Sequence, residues 1–169
     1  VQSTTSSQLF GNLSADGVIE DLLAVPPIAA TTVNRNLQVY DSLGTPRDVN
    51  LIFTKVDQLD DGGTMRNAWT FEAIFEGTNV ANVGGGLDGA VVFDENGEFV
   101  SVGETDGTTF TALAVGLPTI TIPLGLFPGP SIPDTAFEFE IDFNNVTELS
   151  GDSELTNPFQ NGFPRGVLQ

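Results

Sequence analysis

Phe137-Glu138-Phe139-Glu140-Ile141-Asp142-Phe143 is the stretch that decides the fold. Its period of two puts Phe137, Phe139, Ile141 and Phe143 on one side of an extended chain and Glu138, Glu140 and Asp142 on the other, as in a strand with one buried and one wetted face. A one-residue slip would expose four large apolar groups, so this strand is expected to be pinned in register and to anchor the core. Its three carboxylates then read as a solvated face, not as catalytic groups.

The same period recurs upstream. Trp69, Phe71, Ala73 and Phe75 alternate with Thr70, Glu72, Ile74 and Glu76, giving a second strand whose aromatic residues fill a core in preference to forming a sugar-stacking platform. Residues 37–40, the turn Asp41-Ser42-Leu43-Gly44 and residues 48–56 read as a hairpin. In its second arm Val49, Leu51 and Phe53 share one face, and Asp48, Asn50, Ile52 and Thr54 share the other. Residues 90–94 and 98–102 flank Asp94-Glu95-Asn96-Gly97, where Asn96 and Gly97 tolerate the positive φ of a hairpin turn. Residues 108–115 and 119–124 supply further strands before Pro128, Pro130 and Pro133 impose a surface crossing.

The remaining segments read as connections. Residues 57–66, with Asp60-Asp61-Gly62-Gly63, are expected to loop, and Gly84-Gly85-Gly86 to be a flexible link lacking the lysine of a phosphate-binding loop. Asn157-Pro158, Asn161-Gly162 and Pro164-Arg165-Gly166 carry exit-turn chemistry. One short helix is expected over residues 14–23, capped by Ser14 or Asp16, with Val18, Ile19, Leu22 and Leu23 as its apolar side and Pro26 and Pro27 as its stop. The expected fold is therefore all-β, an antiparallel barrel or sandwich-like domain with few or no helices. Residues 37–143 would form that domain. Residues 1–36 would be an incoming segment with the first strand or strands, which could belong to an adjoining domain, and residues 144–169 would lead back out.

Charge narrows the partners. Against 23 acidic residues stand only Arg35, Arg47, Lys55, Arg66 and Arg165, far apart, for a formal net charge of -18. Nucleic acid and anionic membrane surfaces need clustered cations, so neither is expected as a partner. Copies of the chain should repel one another through their acidic faces, making an isolated fragment monomeric and any assembly sensitive to salt, cations or contacts made elsewhere in a longer protein.

The absence of His and Cys removes disulfides, serine and cysteine nucleophile systems and the usual zinc sites. Carboxylates remain, but the 94–98 turn lacks the alternating ligands of a helical calcium hand, and Asp57, Asp60 and Asp61, which could gather a divalent cation loosely, read as a hydrated acidic loop. No catalytic residue, cofactor or metal is expected. The residues singled out are the turn formers Asp41, Ser42, Gly44, Asn96, Gly97, Asn161 and Gly162 and the core residues Trp69, Phe71, Phe137, Phe139, Ile141 and Phe143.

The run Leu37-Gln38-Val39-Tyr40-Asp41-Ser42-Leu43-Gly44-Thr45-Pro46-Arg47-Asp48-Val49-Asn50-Leu51-Ile52-Phe53-Thr54-Lys55 resembles the bacterial flagellar hook protein's strand, Tyr-Asp-Ser-x-Gly turn and strand ending Phe-x-Lys. Further matches follow in the family's order. Asn67-Ala68-Trp69 is similar to its Asn-x-Trp strand start, Phe93-Asp94-Glu95-Asn96-Gly97 to its Phe-(Asp/Asn)-x-Asn-Gly hairpin, and Gln160-Asn161-Gly162-Phe163-Pro164-Arg165-Gly166-Val167-Leu168 to its exit motif. The resemblance spans about residues 37–169 and departs from the family at the acidic loops and the Pro-rich residues 117–133. It implies the outer β-domain of a structural, non-enzymatic subunit of the extracellular flagellum. Such subunits pack with copies of themselves and other flagellar proteins into a curved tube that carries torque. The chain would then be a fragment without the terminal segments that build the inner tube. The rival reading is a carbohydrate-binding or calcium-dependent adhesion β-sandwich, which shares the composition but not the ordered motifs; a paired-carboxylate glycosidase comes third.

Overall fold

The computed structural model describes residues 3–82, 87–113, 118–129 and 137–162. Within them the strands are β1 (Ser6–Asn12), β2 (Thr32–Tyr40), β3 (Pro46–Asp61), β4 (Thr64–Phe75), β5 (Thr78–Asn79), β6 (Ala81–Asn82), β7 (Asp88–Phe93), β8 (Phe99–Thr105), β9 (Phe110–Ala112), β10 (Thr119–Ile122), β11 (Phe137–Thr147) and β12 (Glu154–Gln160). A single 3-10 turn at Leu124–Leu126 is the only helical element among the described residues. The strands form two sheets, ordered β12-β1-β11-β10-β6 and β2-β3-β4-β7-β8-β9, with β5 beside β4. Between the named strands pairing is antiparallel except for β1 with β11, which run parallel; an isolated bridge between Asp60 and Thr109 is also parallel.

The two sheets face each other as a sandwich, not a closed barrel, and β11 shows why. Phe137, Phe139, Ile141 and Phe143 are each at most 4% exposed, while Glu138 and Glu140 face water. Phe143 meets Phe53 edge-on at 6.0 Å and Phe71 at 5.1 Å, joining β11 of one sheet to β3 and β4 of the other. Each such ring withdrawn from water contributes about 1.5–3 kcal/mol, so the period of two is what clamps the layers.

β7 breaks that period for a reason. Val91 and Phe93 join the main core, whereas Ala90 and Val92 pack with Leu59, Ala68 and Phe110 in a smaller cluster on the opposite face. The sheet curls over this cluster until Asp60 and Thr109 form a single bridge. A strand covered on both faces reads as an unbroken apolar run.

Two expectations are corrected. Residues 14–23 form no helix: Ser14 Oγ accepts from the Asp16 amide (3.1 Å), and Asp21 Oδ1 accepts from the amides of Leu23 (3.0 Å) and Ala24 (3.2 Å). Side chains thereby capture amides that a helix would direct to its own carbonyls. A hairpin forms instead, closed by two 2.9 Å backbone bonds between Asp21 and Ile28. Residues 57–66 are no loop either, because β3 and β4 run on to a tight turn at Gly62 (φ 63°) and Gly63 (φ 98°). Leu59 is drawn into the second cluster and a register shift between Val56 and Leu59 absorbs the extra residue. The Gly84-Gly85-Gly86 link, Pro130, Pro133, the end of the 108–115 strand and the Pro164-Arg165-Gly166 turn lie outside the described residues.

Candidate functional site

The inward face of β3 carries apolar residues at Val49, Leu51 and Phe53, and a cation at each end, Arg47 and Lys55. Strand parity forces both cations inward, and a buried charge is tolerated only with a partner. Arg47 Nε binds Asp41 Oδ2 at 2.8 Å, and its guanidinium lies 4.8 Å from the centre of the Phe127 ring. The other Asp41 oxygen accepts from the amides of Leu43 (2.9 Å) and Thr45 (3.1 Å), shaping the turn through Ser42 to Gly44, whose φ is 74°. One fully buried carboxylate thus forms the turn and neutralises the strand that follows it.

Lys55 makes the longer connection. Its Nζ donates to Glu148 Oε2 at 2.8 Å, and the Trp69 indole Nε1 donates to the same oxygen at 2.6 Å. Glu148 immediately follows β11, so this three-way contact clasps the first sheet to the inner face of the second. The 94–98 turn docks on the same residue, with the Glu148 amide donating to the Gly97 carbonyl at 2.8 Å. Gly97 has a φ of 79°, and any Cβ there would collide with the Glu148 carbonyl oxygen. Asp94 Oδ1 holds the turn by accepting from the amides of Asn96 (2.8 Å) and Glu98 (3.0 Å).

A third junction ties the two ends of the described chain. Asn161 Oδ1 accepts from the amides of Thr5 (2.7 Å) and Ser6 (3.1 Å), and Gln160 Oε1 accepts from Thr4 Oγ1 (2.6 Å) and the Gly162 amide (2.7 Å). Thr4 also reaches the other sheet, its amide donating to the Tyr40 carbonyl (2.8 Å) and its Oγ1 accepting from the Tyr40 amide (2.9 Å). Asn161 and Gly162 therefore sit in a stitched junction past β12, beside the first strand.

The expected core residues Trp69, Phe71, Phe137, Phe139, Ile141 and Phe143 lie together in the main core. The sequence reading missed Glu148 and Thr4; the signal for the first was the parity that turns Lys55 inward and obliges a carboxylate to meet it. On the outer face of β11, Glu138 and Glu140 lie opposite Thr121 and Thr119, and on that of β4 Glu72 lies opposite the half-buried Ile52. Among the described residues no group of three or more acidic side chains converges as a metal site would. The exposed Asp106 carboxyl is held well below the usual carboxylate range, chiefly by the Thr109 amide and then by that of Thr108.

Fold and junctions together define an acidic β-sandwich module, clasped internally by buried ion pairs. More specifically, the chain belongs to the family described as flagellar basal body protein FlaE D2 domain, whose profile matches residues 12–163. This is a structural domain of flagellar hook proteins. No match is found among curated proteins.

Proposed function

We propose that this domain is the outer, non-catalytic part of an extracellular flagellar hook tube, assembled from copies of its parent protein, which bends as it rotates and still transmits torque. The observation that carries this reading is the contrast between inside and outside. Inside, close-packed aromatic rings and the Lys55–Glu148–Trp69 contact bind two sheets into one stiff body. Outside, strands such as β11 offer Glu138 and Glu140, polar groups that make and break contacts with little net energy. A tube of such bodies yields between subunits, not within them. In this reading the body of the domain extends beyond residues 37–143 to take in β1, β2 and β12, and the chain enters and leaves it through the junction at Thr5 and Asn161.

The test is a charge-reversal panel, Glu72→Lys, Glu138→Lys and Glu140→Lys, in hooks assembled from the full-length protein. Curvature or bending stiffness is expected to change while the urea midpoint of the domain holds. Unchanged mechanics across the panel would defeat the proposal.

A further inference from the structure

Six large apolar side chains stand in water on one short hairpin. Leu22, Leu23 and Val25 are 69%, 92% and 98% exposed, and Val18, Ile28 and Ile19 are 49%, 44% and 40% exposed. Soluble proteins seldom leave such a group uncovered. The hairpin is nonetheless ordered by its own bonds: Val18 donates to Thr31 Oγ1 (2.8 Å), Thr31 donates to the Val18 carbonyl (2.9 Å), and Asp21 and Ile28 pair beyond them. It leads directly into β2, the edge strand of its sheet.

That edge is open. Lys55 donates to the Thr31 carbonyl, and the antiparallel register continues through Val33 with Phe53 and Leu37 with Val49, so odd-numbered residues turn their peptide groups toward β3. Even-numbered residues turn theirs away. Tyr40, the last of these, is met by Thr4, but Thr32, Asn34, Asn36 and Gln38 face outward with no strand of the described residues beyond them. An unpaired edge of this length is a template for another strand.

Charge selects the occupant. Residues 22–40 hold no Asp or Glu and include Arg35, within a chain of net charge -18; the exposed Glu20 and Asp21 stand just before this stretch, and Asp21 already accepts from the amides of Leu23 and Ala24. A basic partner would be drawn to the carboxylates of β4 and β11. A second copy, itself acidic, approaches most easily where no carboxylate opposes it, and burying the three most exposed side chains at about 1.5–3 kcal/mol each offsets the remaining repulsion. We infer that residues 22–28 of the hairpin and the outward edge of β2 form one continuous surface on which a second copy of this chain docks, pairing a strand with residues 32–38 while covering Leu22, Leu23 and Val25. This rests on the self-assembly proposed above and names the face that performs it.

Residues 1–169 contain no cysteine, which makes the test direct. Full-length protein carrying Leu23→Cys or Asn36→Cys is labelled with a maleimide-benzophenone, assembled and irradiated, with Asp106→Cys on an exposed loop as the control. Adducts between copies are expected at positions 23 and 36, mapped by mass spectrometry, and none at 106. In parallel, a Leu23→Asp/Val25→Asp double variant, checked for unchanged circular dichroism, is expected to raise the critical concentration for assembly about tenfold. Tubes that form with no copy-to-copy adduct at 23 or 36, or with adducts only within one polypeptide or to a different protein, would overturn the inference and leave the hook reading standing. Failure of the unsubstituted full-length protein to form tubes would overturn both.

Discussion

Glu148→Ala removes the carboxylate that meets both Lys55 and Trp69. Glu148 is 3% exposed and Lys55 8%, so the substitution leaves an ammonium and an indole N–H facing a protein interior with no acceptor. Deleting one partner of a buried ion pair costs about 3–5 kcal/mol, because the remaining charge keeps its desolvation penalty and loses its attraction. With a urea slope of about 1–3 kcal/mol per molar, a loss near 4 kcal/mol moves the unfolding midpoint down by about 2 M. Trp69, the only tryptophan, lies in the contact and reports its own environment by fluorescence during the titration.

A Lys55→Met/Glu148→Leu double variant separates the charge effect from packing. With neither charge buried it is expected to recover most of the loss, leaving about 1–3 kcal/mol for the unsatisfied indole N–H. A Glu148→Ala loss below about 1 kcal/mol, the size of a surface pair, would refute the clasp, as would a double variant less stable than the single one.

Two further outcomes check the turns. Gly97→Ala is expected to lose more stability than Gly62→Ala in the same urea titration: both sites have positive φ, a strain of about 1–2 kcal/mol, but only at Gly97 does the added Cβ strike a backbone carbonyl, that of Glu148. Equal losses would show that the turn does not seat on β11's continuation. Because the Asp106 carboxyl titrates below its unfolded value of 3.8, its ionised form favours the folded turn at every pH above 3.8, and that preference fades only as the pH falls further toward the depressed value. Its carboxyl carbon in an NMR titration is therefore expected to remain ionised at pH 3.8, and a midpoint at or above that pH would contradict the Thr108 and Thr109 contacts.

What could be read from the residues, and what could not, follows from how far apart partners lie in the chain. The alternation in β11 and β4 is local, and the core it implies is the core observed. The Asp41 turn is equally local: carboxylate, capped amides and paired Arg47 fall within six positions, so a short motif contains the whole device. The helix expected over residues 14–23 failed on competition also local in origin, since Ser14 and Asp21 are residues whose side chains take nearby backbone amides. Its apolar residues suggested a buried stripe but stand in water.

Lys55 and Glu148 are 93 positions apart, and nothing near either residue names the other. Yet half of that contact was already implied. Once Val49, Leu51 and Phe53 are assigned inward, Arg47 and Lys55 must follow them by parity, and each then requires an acid that the burial of one chain segment cannot itself specify. The same alternation, carried along β2, turns the peptide groups of Thr32, Asn34, Asn36 and Gln38 outward while those between them pair with β3. Strand period thus reveals both the charges that need a distant acid and the edge that needs a neighbour, and in each case the missing half belongs to a long-range contact, within the domain for Lys55 and between copies for β2.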